Sequence, residues 1–217
     1  MKSLLPVLGV LVCFAPSGAP QVDREQRTGS HGLLASSTDI GSPLRGMTEY
    51  KPDTGAYRIS GAGRDVWGTH DAFRYTWATL YGNARFGADL HIEAPVTSPL
   101  AKGMLMFRQN LDPGSPYADV ALHADGHVTL QYRSVQGGET KDLPLPQFNP
   151  RQLRLVRQGD RFTAYAGTDT YSAAGRGVSI DVHMQDPVYV GLGVCSHNEG
   201  VLQNITFHDL ALQRGTP

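Results

Sequence analysis

The sequence predicts an all-β protein in which two antiparallel sheets pack face to face. Three observations support this fold class. Short runs that alternate apolar and polar residues fill the chain from residue 44 to about residue 213, and clusters of Gly, Pro, Asn and Asp separate them. No amphipathic pattern long enough for a helix interrupts them. Ten or eleven short strands at this spacing are typical of a sandwich or a barrel, and the absence of a fixed-period repeat argues against a propeller.

The N-terminal segment, residues 1–19, is predicted to be a signal peptide. Lys2 provides a positive charge, and the apolar run LLPVLGVLVCFA follows it. This run is too short for a transmembrane helix, which needs roughly 20 apolar residues. Small residues then provide a signal-peptidase cleavage site after Ala19. Proline is unfavourable directly after the cleaved bond, and Pro20 would occupy that position, so cleavage after Ser17 is the alternative. We therefore expect an exported protein, periplasmic or extracellular, without a membrane span.

Two further segments follow the signal peptide. Residues 20–43 are polar and show no period, so they are predicted to be a flexible N-terminal arm, and residues 44–213 are predicted to form the β-sandwich domain. Turn residues at 124–127 and 158–160 predict two hairpins. The predicted strands are 56–60, 72–79, 85–93, 103–109, 118–123, 128–133, 152–157, 161–166, 178–182, 188–196 and 205–212.

Charge and cysteine content exclude several classes of protein. The 217 residues include 19 Lys and Arg against 20 Asp and Glu, a formal net charge of −1. Nucleic-acid binders and polybasic membrane-surface proteins carry a basic excess, so neither class fits. Removal of the signal peptide would leave Cys195 as the single cysteine, without an internal disulfide partner. We expect a packed thiol rather than a reactive one.

Alternation along the strands predicts one polar face. If the strands at 103–109, 118–123, 128–133 and 188–196 are neighbours, the residues that point away from the core share one side of a sheet. Gly191 and Gly193 would leave open backbone there, as a groove requires. An ordinary solvated sheet face is the alternative. The polar residues of this face are Arg108, Asp119, His123, Gln131, Arg133 and His197.

Three segments resemble a known family. They are ISGAGRDVWGTHDAFRYTW (59–77), GMLMFRQNLDPGSPYADVALHADGHVTLQYR (103–133) and PVYVGLGVCSHN (187–198). They are similar to bacterial concanavalin A-like lectin/glucanase jelly-roll domains, of the DUF1349 type and of the type appended to some β-xylosidases. The resemblance spans roughly residues 44–213 and implies two curved antiparallel sheets whose concave face often contacts carbohydrate. The same superfold also includes glycosidases and interaction modules.

The motifs of common enzymes are missing. A retaining glycosidase needs two carboxylates about 5–5.5 Å apart. Asp89 and Glu93 are four residues apart on one predicted strand, but His91 occupies the position of the expected middle acid. The sequence has neither a G-x-S-x-G elbow nor zinc-type histidine spacing, and no cofactor is predicted. Calcium would suit a jelly roll, with Asp112 and Asp125 as candidate ligands, although no specific calcium motif is present.

The leading hypothesis is therefore a non-catalytic, lectin-like carbohydrate-binding module. Trp67, in a Gly-flanked loop, would stack on a sugar ring at the rim, and replacing Arg108 and His197 with Ala should abolish binding without lowering thermal stability. Two alternatives remain: a glycoside hydrolase-like or lyase enzyme with an unrecognised site, and a cell-envelope structural domain with a protein partner. The predicted ligand-binding residues are Trp67, Arg108, Asp119, His123, Gln131, Arg133, His197 and Asn198.

Overall fold

The computed structural model describes residues 32–167 and 177–215, and every regular element in them is a β-strand. The predicted signal peptide and residues 20–31 of the predicted arm lie outside these ranges. The strands are β1 (Ser36–Ile40), β2 (Met47–Lys51), β3 (Ala56–Gly63), β4 (Phe73–Leu80), β5 (Ala84–Ile92), β6 (Lys102–Arg108), β7 (Tyr117–His123), β8 (Val128–Arg133), β9 (Lys141–Pro144), β10 (Gln152–Gln158), β11 (Arg161–Gly167), β12 (Val178–Asp181), β13 (Val188–Cys195) and β14 (Asn198–Arg214).

Two seven-stranded sheets form the sandwich. The front sheet has the order β1-β4-β13-β6-β7-β8-β9, and the back sheet has the order β12-β11-β10-β5-β14-β3-β2. All neighbouring strands run antiparallel. The predicted all-β two-sheet fold is confirmed.

The core lies between the two sheets, and the alternation along β6 shows how the sequence specifies it. Leu105 and Phe107 point inward and are completely buried, while Met104 and Met106 point to the other side of the front sheet. Phe107 packs edge-on against Phe86 of β5, with ring centroids 6.5 Å apart. Each fully buried side chain of this size stabilises the fold by about 1.5–3 kcal/mol.

Both predicted hairpins are present. β7 and β8 pair directly on either side of residues 124–127, and β10 and β11 pair on either side of Gly159 and Asp160. Gly126 and Gly159 have φ values of 94° and 62°. Residues with a Cβ rarely adopt these angles, so glycine at each turn allows the tight connection.

Three strands were not predicted, and all three lie at the edge of a sheet. Strand β1 pairs with β4 through residues 36–40, so the predicted flexible arm is wrong for that part of 20–43. Strands β2 and β9 form the ends of the back and front sheets. Edge strands are short and partly solvated, and all four residues of β9 are exposed. The alternation that reveals a half-buried strand is therefore weak in them.

The glycines of β13 have a different role from the predicted one. A Cβ on Gly191 would overlap the backbone oxygen of Thr76 and lie 2.9 Å from Cα of Trp77, both in β4. A Cβ on Gly193 would lie 2.8 Å from Cε of Met104. The expected open backbone is absent at both positions. These glycines instead allow close packing against neighbouring atoms.

Replacing Gly191 with Ala should therefore destabilise the protein. We expect Gly191→Ala to lower the free energy of unfolding by about 1–3 kcal/mol, because backbone atoms of β4 must move to admit the methyl group. Urea denaturation measures the change. Gly87→Ala is the matched control in β5, where the nearest atom to a new Cβ lies 3.5 Å away, an ordinary contact. Equal stability of both variants would contradict the close-packing role.

Candidate functional site

The outer face of the front sheet, which points away from the core, is the predicted ligand face. β13, β6, β7 and β8 are neighbours in this sheet, as predicted. Much of the face is covered, because residues 64–72 and 109–116 fold over it and Asp71 N–H donates to the Pro113 carbonyl (3.0 Å). The buried cluster beneath them contains Ile40, Val66, Phe73, Tyr75, Met104, Met106, Tyr117, Ala121 and Cys195.

Cys195 lies in this covered region. Its side chain is fully buried, and its Sγ is 3.3 Å from the Gly63 carbonyl oxygen. Burial raises the pKa of the thiol to about 12. The predicted packed thiol is confirmed.

Two of the predicted ligand-binding residues, Arg108 and Arg133, form a buried ion cluster with Asp71. Arg108 Nη1 donates to Asp71 Oδ2 (2.7 Å), and Arg133 Nη2 donates to Asp71 Oδ1 (2.7 Å). All three side chains are completely buried. The expectation that these arginines contact a ligand is wrong for this structure, because covering loops, which have no period in sequence, remove them from solvent. We therefore expect replacement of Arg108 to lower stability, in contrast to the sequence-based prediction, because Asp71 would lose one of its two buried partners.

The same arginines hold the covering loops in place. Arg108 Nη2 donates to the Asp112 carbonyl (2.7 Å), and Arg133 Nη2 donates to the Gly68 carbonyl (2.9 Å). Burial alone would lower the pKa of Arg133, but the hydrogen bonds and charge of Asp71 outweigh it and raise that pKa. Arg133 thus keeps its positive charge, and the hydrogen bonds of the two arginines stabilise the loop arrangement.

Asp119 is also buried. It lies between Met106 and Gln131 in the register of the sheet, and no part of its side chain reaches solvent. Burial raises the pKa of Asp119 well above 3.8, which favours the neutral acid. The predicted ligand contact is therefore wrong for Asp119 as well.

An open groove remains at the other end of the face. Its volume is about 420 Å³, and we call it the front groove. It contains three of the predicted residues: Trp67 from the loop after β3, His123 at the end of β7 and Gln131 in β8. The lining residues are Asp65, Trp67, Leu100, Lys102, His123, Asp125, His127, Thr129, Gln131 and Asp142.

Among the residues that the structure describes, Lys102 is the one Lys or Arg side chain that lines the front groove. Its Nζ lies 2.8 Å from Asp65 Oδ1, and it donates to Gln131 Oε1 (3.2 Å) and to the Val66 carbonyl (3.3 Å). An ammonium has three N–H donors, so these contacts use all of them. Lys102 therefore orients Asp65 and Gln131 instead of presenting a free cation.

The two histidines of the front groove differ. His123 Nε2 lies 3.2 Å from Thr129 Oγ1, and burial, assisted by the charge of Lys102, lowers the pKa of His123 to about 4. His127 is exposed, and its Nδ1 lies 3.2 Å from Asp125 Oδ2. Burial alone would raise the pKa of Asp125, but the hydrogen bonds from His127 outweigh it and lower that pKa.

His197 and Asn198 lie beside the front groove but do not line it. His197 Nδ1 is 3.6 Å from Asp65 Oδ2, and its backbone has a φ of 56°. The Asn198 side chain accepts the backbone N–H of Gly200 (2.9 Å). Their role in ligand contact stays a prediction.

Sequence reasoning missed several lining residues. Lys102 and Thr129 share a face with Met104 and Gln131 by simple alternation, so the pattern could have identified them. Asp142 could not be found this way, because it belongs to the unpredicted edge strand β9, where it pairs with Gln131. Asp65 and Leu100 come from loops, which carry no such pattern.

The acidic pair considered for catalysis lies on the back sheet. Glu93 accepts from Arg58 Nη2 (2.7 Å) and Thr206 Oγ1 (2.6 Å), and Asp89 Oδ2 is 3.1 Å from Arg151 Nε. The bonds from Arg58 and Thr206 lower the pKa of Glu93 against the effect of its partial burial. Each acid is held in an ion pair of its own, remote from the front groove.

Potential metal-ligating side chains do not cluster in the described part of the chain. Within residues 32–167 and 177–215, no three His, Cys, Asp or Glu side chains converge as a metal would require. Of the two calcium candidates, Asp125 is paired with His127, and the Asp112 carbonyl accepts from Arg108. The same ranges hold no helix of the length and apolar character needed to cross a membrane.

Solved structures with the same fold include proteins of several functions. A functionally unknown protein from Saccharomyces cerevisiae matches with a TM-score of 0.61 at 14% identity, covering 83% of this chain and 97% of that one. The carbohydrate-binding module CBM66 from Bacillus subtilis matches with a TM-score of 0.52 at 15% identity, covering 84% and 98%. A family 7 alginate lyase in complex with product matches with a TM-score of 0.50 at 10% identity, covering 77% and 83%.

Sequence comparison adds no closer relative. No family model matches the chain, and no curated protein matches it. The structural likeness shows the fold: a concanavalin A-like jelly-roll sandwich, as the sequence resemblance implied.

Proposed function

We propose that this protein is a non-catalytic carbohydrate-binding module and that the front groove is its binding site. The observation that carries the proposal is Trp67, 42% exposed, which lines a groove whose other lining residues, apart from Leu100, have polar groups in their side chains. A sugar ring presents apolar C–H groups to an aromatic face and hydroxyl groups to polar side chains. The front groove offers both kinds of contact.

Size and fold support the proposal. The volume of about 420 Å³ falls in the range of small-molecule sites, roughly 300–1,000 Å³. Thr129, which is partly exposed, provides a hydroxyl group in the floor of the groove, beside the largely buried amide of Gln131. The fold is also that of a known carbohydrate-binding module. Fold alone does not determine function, so the residues of the groove carry the argument.

A binding role suits the acids of the front groove better than catalysis does. Asp65 is held by Lys102 at 2.8 Å, and Asp125 is held by His127 at 3.2 Å. General acid catalysis requires a carboxyl group whose pKa lies near the working pH. The pKa of Asp125 is instead lowered, which favours the carboxylate. Fixed carboxylates accept hydrogen bonds from sugar hydroxyls, as a binding site requires.

Export is part of the proposal. The predicted signal peptide at residues 1–19 would deliver the protein to the periplasm or the medium, where polysaccharides are accessible. Fractionation of producing cells, followed by mass measurement of the N-terminus, tests this. An unprocessed protein confined to the cytoplasm would contradict it.

Trp67→Ala tests the binding site. A glycan array first identifies a ligand, and calorimetry then compares the variants. We expect Trp67→Ala to weaken binding by roughly 10- to 100-fold, because an aromatic anchor contributes about 2 kcal/mol. Tyr81→Ala is the matched control, since Tyr81 is 70% exposed and does not line the front groove. A blank array with folded protein would overturn the proposed function, and unchanged affinity of Trp67→Ala would overturn the site.

A further inference from the structure

The front groove has an excess of negative charge. Of the described residues, three acids line it (Asp65, Asp125 and Asp142), and Lys102 is the one Lys or Arg that does so. Counting the Lys, Arg, Asp and Glu side chains alone, one positive and three negative formal charges give 1 − 3 = −2. The rest of the protein is close to neutral, so this charge is a local property of the groove.

The positive charge of Lys102 is not available to an acidic ligand. Its side chain is only 3% exposed, and its three donors are engaged by Asp65, Gln131 and the Val66 carbonyl. A ligand carboxylate would have to break one of these contacts and approach Asp65 at the same time. His123 does not supply a cation either, because its pKa of about 4 keeps it neutral near pH 7.

Asp142 is the acid without a partner among the described residues that line the groove. It is exposed on β9 and pairs in register with Gln131, which places it at the groove wall. Among the described residues it forms neither an ion pair nor a side-chain hydrogen bond, in contrast to Asp65 and Asp125. Because it has no cation of its own, its carboxylate is the groove's best acceptor for a ligand N–H or O–H group.

We infer that the front groove excludes acidic glycans and prefers glycans that carry a protonated amino group over the corresponding neutral ones. This inference rests on the proposed function and adds the ligand class. An ammonium on the sugar would lie against Asp142, while the ring stacks on Trp67.

Three tetrasaccharides that differ in charge test the inference. They are β-1,4-linked glucosamine, its fully N-acetylated form and oligoguluronate, compared by calorimetry at about pH 6, where His123 is neutral. We expect the glucosamine tetramer to bind at least about 5-fold more tightly than the N-acetylated one, and the uronate to show no measurable binding. About 0.5 M salt should remove most of the difference, because screening weakens charge attraction at a partly exposed site.

Asp142→Asn assigns the preference to one residue. The variant should bind the glucosamine and N-acetylated tetramers with equal affinity, whereas the control Asp53→Asn, at an exposed turn between β2 and β3, should keep the preference. Uronate binding equal to or tighter than that of the amino form, or a preference that survives Asp142→Asn, would overturn the inference and leave carbohydrate binding intact. If none of the three binds and the full glycan array is blank, the proposed function itself fails, and this inference with it.

Discussion

Asp71→Asn should lower the free energy of unfolding by about 3–5 kcal/mol. Asp71 accepts from both Arg108 and Arg133, and the three side chains are shielded from water. Breaking a buried pair by removing one partner leaves an uncompensated charge, which costs this much in other proteins. The amide would also direct N–H groups towards a guanidinium. Urea denaturation at pH 7 measures the loss.

A surface pair provides the control for Asp71. Arg161 and Asp181 are bonded at 3.1 Å, but their side chains are 58% and 64% exposed. Asp181→Asn should change stability by less than about 1 kcal/mol, because solvent screens an exposed pair. Similar losses in the two variants would mean that burial adds nothing to the Asp71 cluster. Such a result would undermine the view that this cluster holds the covering loops.

Acidification should destabilise the protein through His123. The pKa of His123 falls from 6.5 to about 4 on folding, because burial and the charge of Lys102 disfavour its protonated form. Above pH 6.5 the residue is neutral in both states, so its contribution to stability is fully present there. Between pH 6.5 and 4 the unfolded chain binds a proton that the folded chain does not. Stability is therefore lost over this range, by about 3 kcal/mol at most.

His123→Gln isolates this effect. When the pH is lowered from 7.5 to 4, we expect the parent to lose about 3 kcal/mol more unfolding free energy than His123→Gln does. His208→Gln is the control, because the His208 side chain is exposed in β14 and solvated in both states. The unfolding free energy of His208→Gln relative to the parent should change by less than about 1 kcal/mol over the same pH range. If His123→Gln changes as little, His123 is not desolvated in the folded protein.

The two largest effects arise at opposite ends of one sheet face. The Asp71 cluster fills the covered end, where residues 64–72 and 109–116 exclude water. His123 lies in the front groove, where the face is open. Loss of Asp71 at the covered end should lower stability, whereas loss of Trp67 in the groove should lower binding. Stability and binding measured on the same variants can thus separate the two roles.

Much of the fold follows from the period of two along the strands. Leu105 and Phe107 had to share one side of β6, with Met104 and Met106 on the other, and the structure confirms both assignments. The two hairpins follow from their turn residues, since Gly126 and Gly159 adopt backbone angles that suit glycine. These are local properties of the chain, which is why one sequence is enough to predict them.

Two features could be seen only in the tertiary structure: the edge strands, and whether the polar face of the front sheet is covered or exposed to solvent. Alternation shows which side of a sheet a residue occupies, but not whether a loop covers that side. Arg108, Asp119 and Arg133 were assigned to the correct face, yet the covering loops bury them. Asp142 reaches the groove only because β9 pairs with β8.

By itself, then, the sequence determined the strands with clear alternation, the hairpins between them and the side of the sheet on which each residue lies. Local sterics and side-chain period decide these features. The tertiary structure decided which polar residues are buried ions and which line an open groove. That outcome depends on long-range packing, in which Asp71 meets Arg108 and Arg133 from 37 and 62 residues away in the chain.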